Sequence, residues 1–311
     1  MTFVDKLRAL IVDKVSEKTI NKLRDRAIDV DYRPGIDYQS LLEIVEQYDI
    51  LIFRGRLKID KEVIDRGKRL KILARYGIGL DNIDIDYAVS KGIAIVNAPQ
   101  ASCISVAELT IGLMIAAARN LYLYIDGTKK GEWPKGRYGG FELHGKTIGI
   151  IGFGKIGSRV GMYAKAMGMK LLVHDVRDVS LEMSVIGGKQ VDLETLLKES
   201  HIISLHVPLT PQTYHMINDH TLSLVRDGAI IVNTSRGEVI DSVALLKHID
   251  RLGGVALDVL EEEPPRSPHL LELIKHPKVI VTPHIGAETV EALERISDEL
   301  IENIMEAIRW R

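Results

Sequence analysis

Residues 146–175 read KTIGIIGFGKIGSRVGMYAKAMGMKLLVHD. An apolar strand pattern runs into Gly152, Gly154 and Gly157, a helical pattern follows, and a second apolar run ends on Asp175. In that setting G-x-G-x-x-G has a physical reading: the first glycine turns the chain tightly, the second lets backbone approach a pyrophosphate, and the third lets helix pack on strand. The phosphates then sit at the helix N-terminus, so Lys155 and Ile156 join the glycines as candidate cofactor contacts. Asp175, 18 residues past Gly157, stands where a carboxylate holds the ribose hydroxyls and repels a 2'-phosphate, which favours NAD over NADP. Arg177 has two readings, a surface arginine or a group that accommodates that phosphate.

Working outward, the same strand-and-helix alternation continues to the C-terminal side through IISLHV, AIIVNTS, GVALDV and VIVTPH. With KTIGIIG and KLLVHD these give six strand units, the number a dinucleotide-binding domain needs. To the N-terminal side RALIVD, IDVDYR, DILIFRG, KILARYG and IAIVNAP alternate with amphipathic stretches, which predicts a second parallel α/β sheet of five strands. The last segment, VEALERISDELIENIMEAIRW, spaces Leu293, Ile296, Leu300, Ile304 and Ile308 as one helical face. It follows the last strand of the second series with no strand of its own, so it is expected to pack on the first domain. The fold expected is therefore α/β with two doubly wound parallel-sheet domains. A Rossmann domain over 99–284 is inserted into a flavodoxin-like substrate domain made of 1–98 and 285–311, with a cleft between.

Composition narrows the partners. Lys plus Arg number 41 against 43 Asp plus Glu, so no global field draws nucleic acid or an anionic membrane. The single cysteine, Cys103, excludes an internal disulfide framework or thiolate zinc site, and no metal motif is visible. A reducing cytoplasm is the compartment expected. The longest apolar run, LTIGLMIAAA at 109–118, is too short to span a bilayer and reads as a buried helix.

Hydride exchange with an alcohol needs a proton acceptor for the hydroxyl, a cation for the substrate and a group that stabilises the charged base. In doubly wound sheets such groups lie at the carboxyl ends of strands. Those ends carry Arg236 in NTSRGEVID, Asp258 and Glu261 to Glu263 in GVALDVLEEEPP, and His284 in TPHIGAE. His215, His220, His248, His269 and His276 have no motif around them and read as structural or surface residues.

The strings RYGIGLDNIDI, NAPQASCISVAELTIGLM, GKTIGIIGFGKIG, LHVPLTPQT, NTSRGEVID, GVALDVLEEEPP and TPHIGAET occur in order along nearly the whole chain. They resemble the signatures of the D-isomer-specific 2-hydroxyacid dehydrogenases, with most likeness to the catalytic part of the branch that oxidises D-3-phosphoglycerate to 3-phosphohydroxypyruvate. The resemblance implies Arg236 as the group that binds the substrate carboxylate and polarises the carbonyl, His284 as acid/base and Glu263 as its carboxylate partner. Glu261 and Glu262 are then expected to be solvated charges on the loop. It also implies that His206, Val207, Pro208, Thr234 and Asp258 line the cofactor.

On the first domain, Arg75 and the backbone of Gly77, Ile78 and Gly79 are implied substrate contacts. Arg54 and Arg56 resemble arginines that reach a substrate phosphate, and Lys135 resembles a lysine contributed to a partner subunit. A homodimer, or a tetramer built from it, follows from the same resemblance, with Trp133 as an anchor. One departure touches the substrate: NAPQASC has Ser102 where this family resembles N-T-P-x-x-N-S. The alternatives are the same chemistry on glyoxylate, hydroxypyruvate or another 2-hydroxy acid, or an NAD-sensing corepressor-like binding module.

Overall fold

The computed structural model describes residues 6–310. The chain divides into two compact units, one running through Ser102 and resuming at Ala287, the other Cys103–Gly286. The first unit holds a parallel sheet of β1 (Arg8–Ile11), β2 (Asp29–Tyr32), β3 (Ile50–Phe53), β4 (Ile72–Arg75) and β5 (Ala94–Val96) in the order β2-β1-β3-β4-β5. This is the flavodoxin-like order. Strand β3, ILIF, is buried at every position, as expected of a central parallel strand covered on both faces.

The helix Val290–Arg309, capped by the Thr289 side chain on Ala292 N–H, belongs to this unit. Ile296, Leu300 and Ile304 are fully buried and share a core with Ile50, Ile52, Ala74 and Tyr76. Each such side chain stabilises by about 1.5–3 kcal/mol relative to an exposed one. The helical face spaced out in the sequence thus packs into the core of the first unit.

The second unit holds seven parallel strands: β6 (Thr147–Ile151), β7 (Lys170–His174), β8 (Gly188–Gln190), β9 (Ile202–Leu205), β10 (Ile230–Asn233), β11 (Gly254–Leu257) and β12 (Val279–Val281). Their order is β12-β11-β10-β9-β6-β7-β8, the doubly wound arrangement with its crossover between β6 and β9. Six strand units were expected, and β8 is the addition. Its three residues, GKQ, are short, polar and half exposed at the sheet edge, so they carry no apolar run to read. Ile150 and Ile151 point into separate cores on the two faces of this sheet. The helix Cys103–Ala118 lies in the second core with Met114, Ala117 and Ala118 buried. Among the described residues no single helix is long and apolar enough to cross a membrane.

Candidate active site

The glycine turn after β6 is built as its spacing requires. Gly152 has φ +89°, and a Cβ there would stand 2.6 Å from the His206 carbonyl oxygen. A Cβ on Gly157 would stand 2.1 Å from the Gly152 oxygen. The helix Lys155–Ala166 starts from Gly154, which offers no side-chain cap, so its first-turn N–H groups suit an anionic ligand. Asp175 follows β7 and is 8% exposed. Its carboxylate accepts from Phe153 N–H at 2.7 Å and Arg177 N–H at 2.9 Å. Burial pushes that carboxyl up, but these N–H groups and the Arg177 guanidinium outweigh it and hold it below the ordinary range. Arg177 also donates from Nε to Asp175 at 3.2 Å and from its terminal nitrogen to the Phe153 carbonyl at 2.9 Å, so it is folded onto that carboxylate.

Three further strand ends carry polar groups. After β9, His206 Nε2 lies 2.8 Å from Ser204 Oγ, and burial pushes the ring down to about 3, so it is neutral at physiological pH. Val207 and Pro208 follow it, and Thr213 Oγ1 donates to the Pro208 carbonyl at 2.6 Å. After β10, Thr234 Oγ1 lies 2.8 Å from Thr110 Oγ1. Asn233 shapes this turn: its Oδ1 accepts from Ser235 N–H at 3.0 Å and its Nδ2 donates to the Arg236 carbonyl at 2.8 Å. The Arg236 guanidinium donates to the Ser235 carbonyl at 2.7 Å.

After β11, Asp258 is 2% exposed. It accepts from Thr282 Oγ1 at 2.6 Å, Ile285 N–H at 2.9 Å and Gly286 N–H at 2.9 Å, and its carbonyl accepts from His284 N–H at 2.8 Å. Asp258, read from sequence as a cofactor contact, also clamps the loop after β12. That clamp holds His284 at φ +53°, a left-handed backbone that a non-glycine residue adopts only when its surroundings impose it.

His284 Nδ1 meets Glu263 Oε2 at 2.7 Å across 21 residues of sequence, the contact that spacing alone could not establish. Glu263 Oε1 accepts from Leu260 N–H at 3.0 Å. Burial pushes the Glu263 carboxyl up, yet the hydrogen bond and charge of His284, the Leu260 N–H and Arg236 hold it below the ordinary range. An ionised carboxylate only accepts, so Nδ1 carries the proton and Nε2 is the nitrogen left for proton exchange.

Of the other two glutamates of the run, Glu261 is not a solvated charge, while Glu262 stays at the surface and is tied to the loop's own backbone. Glu261 is 19% exposed; it pairs with His215 Nε2 at 2.6 Å and accepts from Ser242 N–H at 3.0 Å. Glu262 accepts from Arg266 N–H, Ser267 N–H and Ser267 Oγ, at 3.2, 3.0 and 2.6 Å, at the start of the helix Pro268–Lys275. Placing them on a loop was right, but the loop's own backbone N–H groups need acceptors, and a carboxylate beside them supplies one. His215, read from the sequence as a structural or surface residue, holds φ +48° and stacks on Tyr214 with ring centroids 4.1 Å apart. Nothing in its sequence neighbourhood signals a left-handed backbone.

In the first unit, Gly77 has φ +139°. Its carbonyl accepts from Ala98 N–H at 2.9 Å, and the Ile78 carbonyl accepts from Asn97 Nδ2 at 2.7 Å; Gly79 follows, half exposed. Arg75 donates to the Tyr76 carbonyl at 2.7 Å. Arg54 is ion-paired with Glu288 and lies over the Tyr76 ring. Arg56 donates to Asp13 at 2.8 Å and to the Val12 and Ile36 carbonyls at 3.1 and 2.7 Å, so much of its guanidinium is committed to the unit's own backbone. Ser102 is buried. In the second unit, Lys135 and Trp133 lie exposed on the loop after the helix Leu121–Lys129.

Comparison with known proteins places these features. Residues 111–286 match the family described as D-isomer specific 2-hydroxyacid dehydrogenase, NAD binding domain. A hydroxypyruvate reductase of Thermotoga maritima is 44% identical over 275 residues, 88% of this chain and 89% of its own. A D-3-phosphoglycerate dehydrogenase of Methanocaldococcus jannaschii is 42% identical over 97% of this chain, which spans only 58% of that relative's length. The crystal structure of D-lactate dehydrogenase from Aquifex aeolicus, complexed with NAD and lactic acid, superposes with a TM-score of 0.86 at 31% identity, covering 97% of this chain and 95% of that one.

Proposed function

The chain belongs to the D-isomer specific 2-hydroxyacid dehydrogenases, and within that family we propose that it oxidises D-3-phosphoglycerate to 3-phosphohydroxypyruvate with NAD. The observation that carries the dehydrogenase chemistry is the 2.7 Å pair of His284 and Glu263, in a loop system that also holds Arg236. Glycines 152, 154 and 157, with Lys155, Ile156 and Asp175, fit a dinucleotide, as do the strand-end residues His206 to Pro208 and Thr234. The chemistry that bound NAD would supply is acceptance of a hydride from C2 of the hydroxy acid. His284 Nε2 takes the 2-hydroxyl proton, and the reverse reaction returns it. Glu263 keeps the proton on Nδ1 and stabilises the ring once both nitrogens are protonated. Arg236 offers a planar fork to the substrate carboxylate.

Support for the phosphorylated substrate comes from the named phosphoglycerate dehydrogenase relative and from Arg54 at the end of β3. Arg75 and the backbone of Gly77, Ile78 and Gly79 remain proposed substrate contacts, and Lys135 a proposed contribution to a partner in a homodimer. A second reading, reduction of hydroxypyruvate or glyoxylate, is favoured by the carboxylates already on Arg54 and Arg56, Glu288 and Asp13. A phosphate must displace or outcompete them. Steady-state kinetics on 3-phosphoglycerate, glycerate and D-lactate, each with NAD and NADP, decide between the two. Under the first reading kcat/KM is highest with 3-phosphoglycerate and falls in Arg54→Ala; a preference for glycerate that ignores Arg54→Ala selects the second.

A further inference from the structure

The turn 258–264 carries a second histidine–carboxylate pair, and the dehydrogenase reading above does not use it. Glu261 sits two residues from Glu263 and joins three things. Its Oε1 meets His215 Nε2 at 2.6 Å, its Oε2 accepts from Ser242 N–H at 3.0 Å, and its own backbone abuts Gly237. A Cβ built on Gly237 would lie 1.9 Å from the Leu260 carbonyl carbon and 2.4 Å from Glu261 N. The residue after Arg236 and the residues before Glu263 therefore touch backbone to backbone, with no side chain between them.

His215 closes the arrangement from the other side. Its N–H donates to the Glu238 carbonyl at 2.8 Å, directly after Arg236–Gly237, and its carbonyl accepts from Asn218 Nδ2 at 2.9 Å. The charged groups facing its ring are Glu261 on Nε2 and Asp241, 4.0 Å from Nδ1, with Tyr214 stacked on its face. A strained φ of +48° is held here, away from the reacting groups. Such strain persists only where surrounding contacts over-determine it, and it marks a place whose geometry matters.

We propose that Glu261, braced by His215, is a positioning residue: it locks the Arg236 turn to the Leu260–Glu263 turn and so sets where Glu263 meets His284. The inference rests on the dehydrogenase reading and deepens it. Glu263 takes its place from Leu260 N–H, and Leu260 is held between Gly237 and Glu261. Loosening Glu261 frees Glu263, whose charged neighbours are His284 and Arg236, to drift from His284. A misplacement of about 1 Å at such a remove costs on the order of 100-fold in rate.

The test is a double-mutant comparison read in pH profiles of kcat/KM for oxidation, with NAD affinity measured separately by fluorescence titration. Glu263→Gln moves the acidic limb to lower pH, because the ring loses the carboxylate that favours its protonated form. Glu261→Ala is expected to move the limb the same way and to lower kcat/KM by roughly 10- to 100-fold, while NAD affinity stays within about twofold of the parent, a change worth only about 0.4 kcal/mol. In the Glu263→Gln background the same change moves the limb no further. Glu261→Gln, which can still accept from Ser242 N–H and donate to His215, restores most of the loss and serves if the alanine variant does not fold. An unmoved limb in Glu261→Ala, an additive shift in the double variant, or a glutamine variant as slow as the alanine one overturns the proposal. A limb that Glu263→Gln itself fails to move overturns the dehydrogenase reading instead.

Discussion

Two histidine–carboxylate pairs hang from one turn of the second unit, and they differ in what their rings face. His284 meets Glu263 at 2.7 Å and His215 meets Glu261 at 2.6 Å, and both histidines hold left-handed backbones. The first pair is open, with side-chain exposures of 50% and 37%; the second is closed, at 29% and 19%. His284 has one nitrogen committed and one to trade, as acid/base work requires. His215 has carboxylates near both nitrogens. Under the function and the inference proposed above, the same hydrogen bond serves a proton carrier where the ring is half exposed and a strut where it is enclosed between acidic neighbours.

The comparison breaks most visibly at the open ring. His284→Ala is expected to lower kcat for 2-hydroxy acid oxidation by about 1,000-fold, the usual range for a lost general base, while the melting temperature stays near that of the parent. Stopped-flow or steady-state NADH formation checks it, and turnover within a few-fold of the parent would remove His284 from the chemistry. Glu263→Gln comes next. Its effect is about tenfold at neutral pH, with the acidic limb of the profile displaced to lower pH. The sign follows from the ring: an adjacent carboxylate favours the protonated form, so without it the base form is present at lower pH. A profile superposable on the parent's would make the open pair no different from the closed one.

Gly237 ties the two pairs together, and Gly237→Ala sharpens the comparison from the backbone. The added methyl meets Leu260 at 1.9 Å, so the turns must part. Overpacking of this kind costs about 1–3 kcal/mol, which for a unit of this size lowers the melting temperature by roughly 5 °C. Calorimetry measures that, and kinetics should show kcat falling alongside. An intact melting temperature would mean that the two turns move independently.

How far all this was legible in the sequence depends on whether a residue speaks through its neighbours in sequence or in space. Strand ends and glycines speak locally: IIGFGKIG fixes a turn because only glycine fits at 152 and 157, and NTSRG, EEEPP and TPHIG mark the ends of β10, β11 and β12. Edge strand β8 was not legible, since GKQ has neither apolar alternation nor branched residues. Nor were the separate duties of Glu261, Glu262 and Glu263. A run of like charges reads as solvated because each carboxylate's partner, the His215 ring, Ser267 N–H or the His284 ring, lies on another segment. The carboxylates on Arg54 and Arg56 were illegible in the same way: arginine at a strand end signals an anion, and Glu288 and Asp13 of the same unit are remote from them in sequence. The hold of Asp258 on the 282–286 loop was equally illegible, because its three donors lie on another segment.

A third strand-end histidine completes the comparison, because His206 has no carboxylate at all. Its ring touches Ser204 Oγ, and burial pushes it down to about 3 from an ordinary 6.5. In the unfolded chain the ring takes a proton below about 6.5, whereas in the folded chain it stays neutral until about 3. The unfolded state therefore binds the extra proton across that window, and stability contributed by the neutral ring is present above pH 6.5 and lost as pH falls toward 3. One such group gives a slope of at most about 1.4 kcal/mol per pH unit. His206→Gln is expected to be less stable at pH 7.5, having lost a well-packed ring, yet to show a flatter decline in unfolding free energy between pH 6.5 and 4.5. Urea titrations at several pH values read the two slopes directly. Parallel slopes would mean that His206 protonates as readily in the folded protein as in the unfolded chain, and that an enclosed ring here needs no acid partner to carry charge.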